Sequence, residues 1–124
     1  RNNAPKHFFS IIKQHGALMA KGRLVGLQFE ALFTDNLYLQ ISKHAINMAK
    51  KVKLLFKQKG MQFYIDSPTN QLFVVLSNDR VAELEKKVLF THWGPANEGH
   101  TICRFVTSWA TTDTDINELR SIIG

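Results

Sequence analysis

The sequence predicts an α+β fold: a small, mostly antiparallel sheet with helices packed on one face, preceded by further helices. Three observations predict it. Before Gly60, apolar residues recur at three- and four-residue steps, the spacing of a helical stripe. After Gly60 the period shortens toward two, in runs rich in β-branched and aromatic residues. One short helical stretch separates those runs and another follows them, so the order is three helices and then ββαββα.

Pro5 can open a first helix, over Lys6 to His15, with Phe8, Phe9, Ile11 and Ile12 as apolar cover. Gly16 and Gly22 punctuate the next segment, which continues as helix through Ala17–Ala20 and from Leu24 to Phe33. Gly22 and Gly26 each cost a helix about 1 kcal/mol relative to Ala, which predicts close packing against another helix or backbone. Thr34 or Asp35 can cap the third helix. That helix is the clearest element: Leu37, Ile41, Ala45, Met48, Val52, Leu55 and Phe56 form its stripe, Lys43, Lys50 and Lys57 lie opposite, and Gly60 ends it.

Phe63–Ile65 then reads as a strand, residues 66–70 as a turn cluster, and Gln71–Leu76 as a second strand. Ser77 or Asn78 caps a short helix through Val81, Leu84 and Lys87. Val88–His92 is the third predicted strand and residues 93–99 a loop, on account of Gly94, Pro95 and Gly99. The fourth strand, Thr101–Trp109, places Ile102, Arg104, Val106 and Ser108 on one face and Cys103, Phe105 and Thr107 on the other. Thr111 or Thr112 caps a last helix, with Asp113 and Asp115 in its first turn and Ile116, Leu119 and Ile123 facing inward.

A chain of 124 residues, 44% hydrophobic and 21% charged, is one ordinary globular domain or a piece of a larger one. It does not begin with Met, so a processed or truncated fragment with an arbitrary start is expected. The single cysteine, Cys103, suits a reducing compartment and hence a cytoplasmic protein. No apolar run has membrane-spanning length, and no signal-peptide core is present. The net charge of +6 comes largely from lysines of the third helix, including Lys51, Lys53 and Lys59. The simplest reading is the wet face of one helix; a non-enzymatic binding module that uses this basic face is the alternative.

Arg104 is the anomaly, because a guanidinium in mid-strand is costly to bury unless an anion answers it. Either a structural Asp or Glu supplies that anion, or a ligand does. Other chemistry is thinly represented. The five histidines lack metal-ligand spacing, and His100 with Cys103 would need distant partners, so no metal is expected. Cys103 lies inside a strand, where a thiol is inert, and Ser108 and Thr107 have no evident base. No phosphate-cradling glycine loop occurs. Phe63, Tyr64 and Phe73 could stack bases but read better as core, and no nucleic-acid partner is expected.

Three blocks carry a resemblance to a family. Arg104-Phe105-Val106-Thr107-Ser108-Trp109-Ala110-Thr111-Thr112-Asp113 resembles the end of the PLP-dependent threonine aldolases and related β-eliminating lyases, where an Arg-x-Val-Thr strand precedes a capped helix. Lys13-Gln14-His15-Gly16-Ala17-Leu18-Met19-Ala20-Lys21-Gly22 is similar to their Arg-Gln-x-Gly helix start. Pro68-Thr69-Asn70-Gln71-Leu72-Phe73-Val74 is similar to a Thr-Asn-x-x-Phe-Val strand of their small domain. The resemblance implies an aminotransferase-like C-terminal domain, with residues 1–22 continuing from a large PLP-binding domain and 23–124 forming the small domain. It implies that Arg104 holds the substrate α-carboxylate and that Lys13, where relatives have Arg, contributes to the cofactor phosphate site. Ser108 stands where many threonine aldolases have His. The Schiff-base lysine, the ring-stacking histidine and the aspartate that pairs with the pyridine nitrogen belong to the large domain in relatives and have no matching motif here. The implied parent is a homo-oligomeric lyase acting on amino acids by Cα–Cβ cleavage or β-elimination, away from membranes. This chain alone would carry no catalytic residue, bind no cofactor and be inactive.

Overall fold

A computed structural model describes residues 3–124. The chain divides into two compact units, one ending at Tyr38 and the other spanning Leu39–Gly124.

The first unit holds α1 (Phe8–Gln14) and α2 (Gly22–Phe33), and neither helix buries a residue. Residues 17–20, expected to be helical, are not; Gly16 turns the chain with φ +66°. Nothing lies within 4 Å of where a Cβ would stand on Gly22 or Gly26, so among the described residues nothing packs closely against either glycine. Phe29 stacks on Phe33 at 6.2 Å, and Phe33 meets Tyr38 at 5.4 Å. Thr34 does not cap the third helix. Its Oγ1 donates back to the Glu30 carbonyl at 2.6 Å, closing α2. Asp35 and Asn36, with φ of +51° and +58°, then turn the chain; short polar side chains tolerate that left-handed region.

The second unit contains the sheet. From α3 (Leu37–Gln58) the side chains Ala45, Met48, Ala49, Val52, Leu55 and Phe56 are buried, which is the predicted stripe with Ala49 added. Its end is a Schellman motif: Met61 N–H donates to the Phe56 carbonyl and Gly60 N–H to the Lys57 carbonyl, each at 3.0 Å, with Gly60 at φ +70°. Lys43, Lys50 and Lys57 are exposed. Among the described residues β1 (Gln62–Ile65), β2 (Gln71–Ser77), β3 (Thr91–Asn97) and β4 (His100–Val106) form one antiparallel sheet in the order β1-β2-β4-β3. The helices α3, α4 (Asn78–Leu84) and α5 (Asp113–Ile123) cover one face. Phe56, Val81, Leu84, Ile116 and Ile123 pack there against Leu72, Val74, Leu76, Cys103 and Phe105. The α+β architecture is therefore the expected one. Ser77 Oγ accepts from Arg80 N–H at 3.4 Å to cap α4. Thr112 and Asp115 cap α5 reciprocally in a capping box.

The sheet departs from the sequence reading in two places: β4 stops at Val106, short of the expected Trp109, and β3 is displaced. β3 begins at Thr91 and runs through Trp93, Gly94, Pro95 and Ala96, the stretch expected to be a loop. The reason is its place at the sheet edge. An edge strand needs a ladder on one side only, so the missing Pro95 N–H is tolerated. Register shifts between His92 and Gly94, and between Pro95 and Asn97, absorb the irregular residues as bulges.

Candidate functional site on the open sheet face

Strand alternation decides the site. On β4, Cys103 and Phe105, and just beyond it Thr107, point into the helix-covered core and are buried. Arg104 therefore points to the other face, which no helix of this unit covers. Antiparallel pairing sets Arg104 between Phe73 on β2 and Thr91 on β3. The shift after His92 makes Trp93 an extra residue in its strand, and its indole comes under the guanidinium: Arg104 Cζ is 5.1 Å from the ring centroid. Phe73 meets Trp93 at 5.2 Å with 69° between the ring planes, an edge-to-face contact that fixes the indole.

The guanidinium is half-buried, yet its hydrogen bonding is incomplete. Nη2 donates weakly to Thr91 Oγ1 at 3.4 Å. Nε is buried and has no acceptor. Among the described residues no carboxylate pairs with Arg104; the ion pairs of this unit are Lys51–Asp113 (2.5 Å), Lys53–Asp66, Arg80–Glu83 (2.8 Å) and His92–Glu85 (2.5 Å). Of the two anions left open by the sequence, the structural one is not supplied by the described residues. An orphaned buried donor costs about 1–3 kcal/mol, and a cation–π contact returns only about 0.5–2 kcal/mol. A carboxylate reaching the Nη groups would accept charge-assisted bonds from the guanidinium.

The neighbouring groups hold the framework. Asn70 and Thr107, from two of the blocks singled out in the sequence, clamp one another. Thr107 N–H donates to the Asn70 carbonyl at 3.1 Å and Asn70 Nδ2 to the Thr107 carbonyl at 2.6 Å. His44 Nε2 donates to the Thr111 carbonyl at 2.8 Å, a structural tie from α3 to the segment before α5. The Cys103 thiol is pushed up to about 11 by burial and then by the nearby Glu85 charge, so it stays protonated and inert. No group of three His, Cys, Asp or Glu side chains suited to a metal exists among the described residues. A groove of about 680 Å³ between Leu89, Phe105, Ile116 and Leu119 does not reach Arg104.

Lys13 lies in the last turn of α1 and is exposed, in the first unit; Arg104 lies in the second. Sequence reasoning missed Trp93 and Thr91, because both of their positions depend on β3. The one available signal was the Thr-His-Trp run, with a β-branched and an aromatic residue, directly before a Gly-Pro pair. Of the three aromatics weighed as base-stacking groups, Phe63 packs near Phe56 at 6.5 Å, Tyr64 is exposed, and Phe73 supports Trp93.

No protein-family profile matches the chain, and no curated protein matches it. A solved structure does. Leishmania major threonine aldolase superimposes with a TM-score of 0.84 at 36% sequence identity, over 96% of this chain. The match spans 35% of that protein's length. No helix among the described residues is long and apolar enough to cross a membrane. The resemblance carried by the three sequence blocks thus holds in three dimensions: over nearly its whole length the chain is similar to about a third of a threonine aldolase, consistent with the C-terminal domain of such a protein.

Proposed function

We propose that this chain is the C-terminal portion of a PLP-dependent lyase acting on amino acids, by Cα–Cβ cleavage of the threonine aldolase type or by β-elimination, and that Arg104 holds the substrate α-carboxylate. The observation that carries the reading is the Arg104 guanidinium itself. It sits on the open sheet face with its Nε buried and unanswered, in a chain similar to a threonine aldolase. A planar guanidinium fork matches a carboxylate in shape and charge. Fixing that end of the substrate would leave its Cα bonds at a defined position.

PLP, when bound to the whole protein, supplies the electron sink for cleavage at Cα. The residues present fit such a cofactor only in part. Lys13 is exposed, with no carboxylate paired to it among the described residues, and can neutralise phosphate as a point charge. No lysine of the chain sits in a Schiff-base motif, so the 124-residue chain alone is inactive. In this reading residues 1–22 continue from a large cofactor-binding domain and 23–124 are the small domain. The bare helix α1, which buries nothing, suits a segment that completes its packing on other sequence. A homo-oligomer assembled through the large domain and a cytoplasmic location with Cys103 reduced belong to the same reading. A basic helix face for nucleic acid is less well supported, since Lys51 and Lys53 are spent on Asp113 and Asp66.

The test is Arg104→Ala in the intact protein. Loss of two charge-assisted hydrogen bonds, each about 1.5–3 kcal/mol, lowers kcat/KM for the amino acid by at least about a hundredfold. An unchanged kcat/KM overturns the assignment. Borohydride treatment of the isolated chain with PLP should leave no unique modified lysine; a stoichiometric adduct at one site would overturn its inactivity.

A further inference from the structure

We infer that Trp93 is a positioning residue for Arg104, holding the guanidinium against the indole so that its Nη donors are presented to a carboxylate. The inference rests on the substrate-binding role proposed for Arg104 and assigns that role a support which the sequence did not reveal. Three features of the geometry point to it.

The first is what the contact leaves free. The indole lies against the guanidinium without accepting a hydrogen bond from it, whereas a structural Asp or Glu would take up its donors. With Arg104 Cζ 5.1 Å from the Trp93 centroid, the charge is partly compensated while no carboxylate among the described residues occupies the guanidinium. The second is how Trp93 is held. Its position follows from the irregular pairing after His92, and Phe73 braces the indole edge-to-face at 5.2 Å. Bulges that re-aim a side chain are a recognised device beside functional sites. The third is a second restraint: the Nη2 donor meets Thr91 Oγ1 at 3.4 Å, so Trp93 and Thr91 together restrict where the guanidinium sits. A long arginine side chain otherwise loses considerable rotamer freedom when it captures a ligand. The contact places part of that loss in the folded protein before the ligand arrives, which is the general route by which preorganisation raises affinity.

The experiment uses the intact protein and the variants Trp93→Phe, Trp93→Leu, Trp93→Ala and Arg104→Ala. Trp93→Leu keeps apolar bulk without a π face, and thermal unfolding of each variant monitors folding. A cation–π contact corresponds to about a 2- to 30-fold effect, the lower end applying to a ring as exposed as Trp93 at 55%. The expected result is that Trp93→Leu and Trp93→Ala raise KM by that factor with kcat within about twofold, and weaken calorimetric binding of the unreactive amino acid 2-methylalanine in parallel. Trp93→Phe should stay within about threefold of the parent, because it restores the face. Guanidinium ion added to Arg104→Ala should restore activity, and this rescue should vanish when Trp93→Leu is also present. If Trp93→Leu matches Trp93→Phe in KM and in rescue, the indole merely packs and the inference is overturned. A fall in kcat with KM unchanged overturns it as well. If Arg104→Ala itself leaves KM and 2-methylalanine binding intact, the substrate-binding reading fails; if only the Trp93 variants are silent, that reading stands and this inference alone falls.

Discussion

Thr107 Oγ1 donates a hydrogen bond of 2.7 Å to the Ala45 carbonyl, tying the segment just beyond β4 to the backbone of α3. Ala45 makes the approach possible, since a longer side chain would hold the segment away from the helix. Thr107 is the buried polar side chain of this core, at 5% exposure. Thr107→Val should lower stability by about 1 kcal/mol, the net value of one hydrogen bond, while Thr107→Ser should keep most of it. Urea unfolding midpoints distinguish the two.

Phe56 is fully buried and meets Phe105 edge-to-face at 5.0 Å, with 75° between the ring planes. This pair joins the helix stripe to the core face of β4, directly behind Arg104. Phe56→Ala should cost about 3–5 kcal/mol, from lost burial and the cavity left behind. The check is a lower urea midpoint at unchanged m-value.

Cys103 has no exposed surface, and its thiol titrates near 11 where an ordinary one titrates at 9.0. The native protein should resist alkylation at mildly alkaline pH, and denaturant should release the full rate. The raised value also sets a direction for stability. Below pH 9 both folded and unfolded thiols are protonated and the contribution is constant. Between about 9 and 11 the unfolded chain binds fewer protons than the folded one, so stability falls as pH rises through that window. Cys103→Ser should flatten the decline, as measured by unfolding midpoints across the range.

Much of the framework was legible because its signals are local. The three- and four-residue spacing from Ala45 to Phe56 requires a helix and names its buried face before any partner is known. Gly60 marks the end of that helix because the left-handed residue of a Schellman motif disfavours other side chains. Thr112 and Asp115 announce α5 by their three-residue spacing. Residues 17–20 were misread for the same reason: Ala, Leu and Met are good helix formers, and nothing local shows that Gly16, at φ +66°, ends the helix before them. The site was legible in half. Alternation along Thr101–Val106 shows that Arg104 opposes Cys103 and Phe105, and the mid-strand charge demands an anion.

By itself, then, the sequence determined the α+β order, the buried stripe of α3, the inward Cys103–Phe105–Thr107 face and the outward Arg104. Only the tertiary structure decided that residues 93–97 are strand, that no carboxylate of the described chain answers Arg104, and that Trp93 lies under it. The physical reason is that propensity is a property of neighbours in the chain, whereas strand membership is a property of pairing. Gly94 and Pro95 disfavour a strand locally, yet the ladder from β4 satisfies an edge that needs bonds on one side only. That ladder, joining Thr91 to Arg104 across the intervening turn, brings the indole and the guanidinium together.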